Sequence, residues 1–131
     1  MKLVIIVIAI SYGLNGLWMI VDPKLWYETI PGITMLGPYN THFLRDVGIV
    51  YGVSAGGFVW GVRAGASPAL IMAAAWPALH AIYHFQMWVG RGFALDLVAL
   101  VNLLLIQLPA WLGLWAAWCL FQREKTQGKS T

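Results

Sequence analysis

Four long apolar runs constrain the fold of this chain more than any short motif does. They cover residues 3–21, 43–62, 68–89 and 93–121. Each run is near or above the roughly 20 residues that a helix needs to cross about 30 Å of hydrocarbon. Composition agrees, because 60% of the residues are hydrophobic and only 10% are charged, whereas roughly a quarter are charged in soluble domains. The sequence therefore predicts an all-α integral membrane protein, a four-transmembrane-helix bundle surrounded by a lipid bilayer.

The first run has a competing interpretation as a signal peptide, because Lys2 precedes a short apolar core. However, the run continues to Asp22 and Pro23, and no small-x-small cleavage site closes its early part. We therefore expect an uncleaved membrane helix.

Lysine and arginine are distributed unevenly between the two ends of the runs, and this asymmetry sets the expected orientation. With the N-terminus in the cytoplasm, five such residues lie on the cytoplasmic side and two or three on the outer side. The five are Lys2, Arg63, Arg123, Lys125 and Lys129, and the others are Lys24, Arg91 and, near the outer end of the second run, Arg45. We therefore expect a multi-pass protein of a bacterial inner membrane with both termini cytoplasmic. The net charge of +3 reflects this topology, and the sequence shows no basic stripe that would indicate a nucleic-acid partner.

The connection at residues 22–41 is the longest and contains three prolines together with Trp26 and Tyr27. Such aromatic residues favour the membrane–water interface, so we expect a short interfacial segment between the first two helices. Asn40 or Thr41 fits the N-cap of the second helix, and Ser67 fits that of the third.

The last run contains Pro109 in its interior, which predicts a kink. Residues 1–121 are expected to form one transmembrane domain, and residues 122–131 a frayed, polar cytoplasmic tail.

Ionisable residues from three runs gather at the outer side of the predicted bundle. At the rise of an α-helix, Asp46 and His84 both lie about 8 Å deep, and His80 about 15 Å. His42 and Asp96 lie within roughly 5 Å of the surface by the same rise. His42 and Asp46 are four residues apart, as are His80 and His84, so each pair shares one face of its helix. Such side chains are costly in lipid and should point into the bundle.

A stripe of small residues, Gly48, Gly52 and Gly56, follows the second helix and would allow a neighbouring helix to approach closely. Arg45 lies nearer to this stripe than to the histidine–aspartate face, and can extend towards the surface or pair with Asp96. We count Arg45 and Asp96 as candidate cofactor-binding residues.

The first run ends with the segment "GLWMIVDP", a proline-rich loop follows, and the second run contains "FLRDVGIVYGVSAG". Together these segments resemble the DoxX-like family of small four-helix membrane proteins. The resemblance covers mainly the first half of the chain. The matching positions are Gly16, Pro23, Arg45, Gly48, Tyr51, Gly52 and Gly56. Some relatives are named as subunits of a thiosulfate:quinone oxidoreductase, so the resemblance implies a membrane subunit that works with a quinone. The paired histidines are not part of it.

One interpretation of the polar residues is a metal site. His42, Asp46, His80 and His84 would bind a transition-metal ion such as copper, zinc or iron, because neutral imidazole suits these metals and a carboxylate often joins it. Helical bundles build such sites from residues on facing helices.

Two other interpretations stay open. The predicted polar residues could bind haem or a quinone in an accessory subunit of a membrane oxidoreductase. It could also be a ligand-free network in which Asp46 accepts a hydrogen bond from His84, and Asp96 neutralises Arg45 or Arg91.

Other classes of enzyme find little support, because the sequence has no serine elbow, glycine-rich phosphate loop, cysteine pair or zinc-protease motif. If the protein is an enzyme, we expect redox work at the outer membrane face. Other membrane subunits or a second copy of the chain are the expected partners.

Overall fold

A computed structural model describes residues 1–127 of the chain, and within this range the chain is all-helical, as predicted. The segments are α1 Lys2–Val21, α2 Pro23–Thr29, a 3-10 turn Ile33–Met35, α3 Thr41–Ala64, α4 Ser67–Gly90, α5 Leu97–Val101, a π-helical segment Asn102–Gln107, and α6 Leu108–Gln127. The last three follow one another without a break and form one long helix.

Three helices are long and apolar enough to cross a membrane: α1, α3 and the continuous helix Leu97–Thr126. They support the prediction that this is a membrane protein. Helix α4 has 24 residues, as many as α3, but it is not among the three. It carries His80, His84 and Gln86, and polar side chains of this kind lower the mean hydropathy of a helix.

The four long helices run alternately up and down. We call the end that carries the connections 22–40 and 91–96 the upper end of the molecule, and the opposite end the lower end. Helix α1 packs against α3, α3 against α4, α4 against α6, and α6 returns to α1. At the lower end Gly65 closes α3 with a φ of 64°, a left-handed conformation that glycine adopts without strain, and α4 begins two residues later.

Close helix contact depends on glycines that only partly match the predicted stripe. A Cβ built on Gly16 would lie 2.6 Å from the carbonyl oxygen of Gly48, so α1 and α3 touch backbone to backbone. On the side facing α4, a Cβ on Gly57 would lie 2.9 Å from the Cβ of Ala73. A Cβ on Gly52 or on Gly56 would meet nothing within 4 Å. The predicted stripe is therefore wrong at these two positions.

The helix ends follow local chemistry, and two of them differ from the prediction. Asn40 caps α3, since its Oδ1 accepts a hydrogen bond of 3.1 Å from the backbone N–H of Phe43. Ser67 is not a cap. It lies inside α4, and its hydroxyl donates to the carboxylate of Glu124. The last helix begins at Leu97, because the carboxylate of Asp96 caps it by accepting from the backbone N–H of Ala99.

The last helix also differs in its interior and at its lower end. The irregularity expected near Pro109 takes the form of the π-helical segment that ends at Gln107. The proline ring clashes with the carbonyl four residues earlier in a regular helix, and that carbonyl belongs to Leu105 inside the segment. Helix α6 continues through Gln127, although a frayed tail was expected from residue 122, and residues 128–131 of that tail lie outside the described range.

The predicted interfacial segment is present as α2 and the 3-10 turn at the upper end. Helix α2 folds back on α1, where the indole Nε1 of Trp26 donates a hydrogen bond of 2.9 Å to Oδ1 of Asn15. The phenol of Tyr27 donates to the carbonyl of Gly37 at 2.6 Å. The first bond holds the segment against α1, and the second joins two parts of the segment itself.

Candidate functional site

His80 and His84 lie on the face of α4 that meets α3. Their ring centroids are 4.5 Å apart in an edge-to-face arrangement. The ring of Trp76, one turn below, stacks on His80 with centroids 4.7 Å apart and planes inclined by 15°. The spacing of four residues thus places three rings in a row along one helix.

Two tyrosines continue this row across the bundle. The ring of Tyr51 on α3 lies 5.0 Å from Trp76 and 6.2 Å from His80, edge-to-face in both cases. The ring of Tyr12 on α1 lies 5.2 Å from that of Tyr51. We call Tyr12, Tyr51, Trp76, His80 and His84 the aromatic–histidine cluster. It joins three helices, with the two tyrosines buried and the tryptophan and both histidines half-buried.

The polar atoms of this cluster have no partners within the described chain. Tyr12 and Tyr51 are only 4% and 8% exposed, yet no hydrogen bond joins either phenol, or either imidazole, to another residue between 1 and 127. Every completely enclosed side-chain nitrogen or oxygen in that range does have a partner. The phenol and imidazole atoms must therefore retain some accessible surface, so a hydrogen-bonding group of the size of water can reach them.

The other predicted pair, His42 and Asp46, lies outside this cluster. Nε2 of His42 is 3.4 Å from Oδ2 of Asp46, and the two side chains are 91% and 57% exposed. Asp46 precedes Tyr51 by five residues, which places it about 140° around the α3 axis from the face that meets His80. Among residues 1–127, no three His, Cys, Asp or Glu side chains lie close enough to hold one metal ion.

Arg45 and Asp96 are also apart from the cluster and from each other. Nε of Arg45 donates a hydrogen bond of 3.2 Å to the carbonyl of Ile20 near the end of α1. Asp96 pairs with Arg91, as the network interpretation allowed. The backbone N–H of Ala99 and the guanidinium of Arg91 both donate to Asp96 and hold the pKa of its carboxyl below the ordinary value.

Sequence reasoning missed Tyr12, Tyr51 and Trp76, because it searched for ionisable groups at equal depth. One signal was available. Since α3 and α4 are joined by a tight turn at Gly65 and Ala66, residues equally far from that turn lie side by side, and Tyr51 and His80 are such a pair. Trp76 lies one turn from His80 in the sequence itself.

A shallow groove of about 560 Å³ lies on the last helix, away from these rings. Apart from Gln107 its lining consists of leucine and tryptophan side chains of that helix alone, from Leu103 to Trp115. It contains no titratable group that would extend the cluster.

No protein-family model, curated protein or solved structure matches this chain, so the resemblance to the DoxX-like family stays a prediction.

The cluster combines flat ring surfaces with hydrogen-bonding groups that carry no fixed charge. Phenols and the indole donate hydrogen bonds, and each neutral imidazole donates with one nitrogen and accepts with the other. Such a set can hold a planar, uncharged molecule with carbonyl oxygens, and the two imidazoles can also bind a metal ion.

Proposed function

We propose that this protein is a four-span membrane protein that binds the headgroup of a membrane quinone at the aromatic–histidine cluster, as an accessory subunit of a membrane oxidoreductase. The observation that carries this proposal is the convergence of two phenols and two imidazoles from three helices. None of these four side chains has a hydrogen-bond partner in the described chain, and all keep some accessible surface.

The chemistry of a quinone headgroup fits this set of residues. The headgroup is a flat ring with two carbonyl oxygens, so it needs stacking surfaces and hydrogen-bond donors. Ligand sites of this kind are mostly apolar or aromatic, with a few polar groups that fix orientation. Trp76 and Tyr51 offer ring surfaces, while the phenols and imidazoles offer donors. The cluster contains no carboxylate that would repel the electron-rich oxygens.

The proposal includes α4 as the fourth membrane span. This helix is as long as α3 and packs between α3 and α6, both of which belong to membrane-spanning candidates. The lysine and arginine asymmetry favours an orientation with both termini in the cytoplasm and the upper end outside. A reporter fused after Thr131 should read as cytoplasmic, whereas an exported reporter would place the cluster in the inner half of the bilayer.

Quinone binding can be tested with short-chain ubiquinone and menaquinone analogues. The purified protein in detergent should show saturable quenching of tryptophan fluorescence. Tyr51→Phe, which removes only the hydroxyl, should weaken binding about fivefold, since a neutral hydrogen bond contributes about 1 kcal/mol. Tyr39→Phe is the matched control, because Tyr39 lies in the exposed upper connection. Absence of saturable binding for both analogues would contradict the proposal.

A metal ion is the second candidate, favoured by the helical spacing of His80 and His84. Two neutral imidazoles on one helix face can ligate copper, zinc or iron, and a second copy or a partner subunit would supply the remaining ligands. Elemental analysis would then show metal in the wild type, loss in His84→Ala and retention in Asp46→Ala. Haem fits less well, because ligation from both sides requires histidines on two facing helices, and only α4 contributes histidines to the cluster.

A further inference from the structure

Two buried polar residues lie in the π-helical segment of the last helix. Asn102 and Gln107 are 6% and 8% exposed, although the surrounding helix is long and apolar enough to cross a membrane. Nε2 of Gln107 donates a hydrogen bond of 2.7 Å to the backbone carbonyl of Ala81 and one of 3.2 Å to Oδ1 of Asn102. Its Oε1 accepts a bond of 2.9 Å from the indole of Trp111. All polar atoms of the Gln107 amide are thus oriented by three partners.

The backbone geometry explains why these two residues can meet. Residues five apart in a regular α-helix point about 140° away from each other. In a π-helical turn the backbone hydrogen bond joins residues five apart, so their side chains lie on the same face. The segment begins at Asn102 and ends at Gln107. The irregular turn therefore places this pair together on the side that meets α4.

The point of contact on α4 is specific. Ala81 is completely buried, directly follows His80 and precedes His84 by three residues. Its side faces the last helix, whereas the two imidazoles face α3. Together with the close contacts between α3 and α4, a hydrogen bond at this carbonyl restrains the rotation of α4 about its own axis, and this rotation decides where both imidazoles point.

We infer that Asn102 and Gln107 form a clamp that positions the His80–His84 pair for its ligand, and that the π-helical segment exists to build this clamp. Gln107 is a positioning residue, since it acts through the α4 backbone and does not touch the cluster. The inference rests on the proposed function as far as the ligand is concerned, but the positioning itself can be observed without any ligand.

The chain has only three histidines, so their ring resonances can be followed by NMR after selective ¹³C-histidine labelling in detergent. Gln107→Leu should shift the signals of His80 and His84 and leave that of His42 unchanged. It should also weaken binding of the ubiquinone analogue about fivefold. Leu108→Ala is the matched control, since Leu108 is the exposed next residue of the same helix, and it should change neither the signals nor the affinity.

A second variant covers the case in which Gln107→Leu does not fold. Trp111→Phe removes one hydrogen bond to the Gln107 amide at a more exposed position, and it should shift the same two signals by a smaller amount. Unchanged His80 and His84 signals in the folded variant would overturn the clamp, whatever the wild type binds. If the signals shift but the wild type binds no quinone analogue, the clamp stands and the proposed function fails.

Discussion

The pair His42–Asp46 and the pair His80–His84 share one spacing and have different environments. His42 and Asp46 lie on the outward side of α3 and are largely exposed, whereas His80 and His84 are half-buried, with His80 against Trp76 and Tyr51 and His84 against His80. A spacing of four residues guarantees a common face on one helix. It does not say which neighbour that face meets. The neighbour that a face meets depends on the rotation of each helix about its axis, and close contacts between the helices decide this rotation.

The largest expected effect comes from the contact that sets the rotation of α3. Gly16→Leu should destabilise the protein by about 3 kcal/mol or more, because its Cβ would lie 2.6 Å from a backbone oxygen that cannot give way. Gly52→Leu is the matched control, as its Cβ meets open space, and it should leave thermal unfolding in detergent nearly unchanged. Equal melting temperatures for both variants would mean that α3 is rotated about its axis relative to the arrangement described here. The environments of His42–Asp46 and of His80–His84 would then have to be reassigned.

The next effect concerns binding at the two pairs. His84→Leu should weaken binding of the ubiquinone analogue about tenfold, because it removes a hydrogen-bonding ring from the aromatic–histidine cluster. His42→Leu should leave the affinity unchanged, since His42 does not contact the cluster. Titrations of both variants under one condition give the comparison directly. A larger loss in His42→Leu than in His84→Leu would reverse the assignment.

A smaller effect concerns Asp96, the carboxylate that caps the last helix at the upper end. Asp96 receives hydrogen bonds from Ala99 and Arg91, and its pKa is lowered, so its ionised form stabilises the folded state above the ordinary pKa of the carboxyl. This contribution is lost as the pH falls through the lowered value. The melting temperature of the wild type should therefore fall more steeply below about pH 4 than that of Asp96→Asn, which can still cap the helix. Parallel acid profiles would contradict this.

The smallest effect is expected at Asp46. Its contact with His42 is an exposed pair on one helix, and such pairs contribute little. Asp46→Asn should change the free energy of unfolding by no more than about 0.5 kcal/mol. Destabilisation well beyond that, measured by denaturant unfolding in mixed micelles, would show that Asp46 is buried in the membrane-embedded protein and faces a partner.

The sequence predicts the helices well and their relative rotation poorly. Asn40 marks the start of α3 because its side-chain oxygen is a suitable cap, and apolar runs of about 20 residues locate the long helices. Asp96, in contrast, lies inside a continuous apolar run, where its role as a cap is hidden. The π-helical turn between Asn102 and Gln107 is equally hidden, since it depends on a hydrogen bond to α4 as well as on Pro109.

The predicted residues of the candidate site likewise have positions along each helix that the sequence indicates well and positions around the helix axis that it indicates poorly. His80 and His84 were predicted as metal ligands that share one helix face, and the structure places their rings together, half-buried, on the face of α4 that meets α3. His42 and Asp46 were assigned to the same site from their depth and from the expectation that ionisable side chains point into the bundle. Depth leaves the angle around the helix undetermined, and the rotation of α3 is set by the Gly16–Gly48 contact, which involves a residue on another helix.

The polar side chains of α4 also have a consequence for how the chain enters a bilayer during synthesis. On the proposed topology, α4 is the span with the least apolar sequence, and the tight turn at Gly65 and Ala66 joins it directly to α3. A helix that carries half-buried imidazoles gains little from lipid alone. On that topology we expect α4 to enter together with α3 as a hairpin, and to be anchored more firmly once the last helix is made and Gln107 can reach the carbonyl of Ala81.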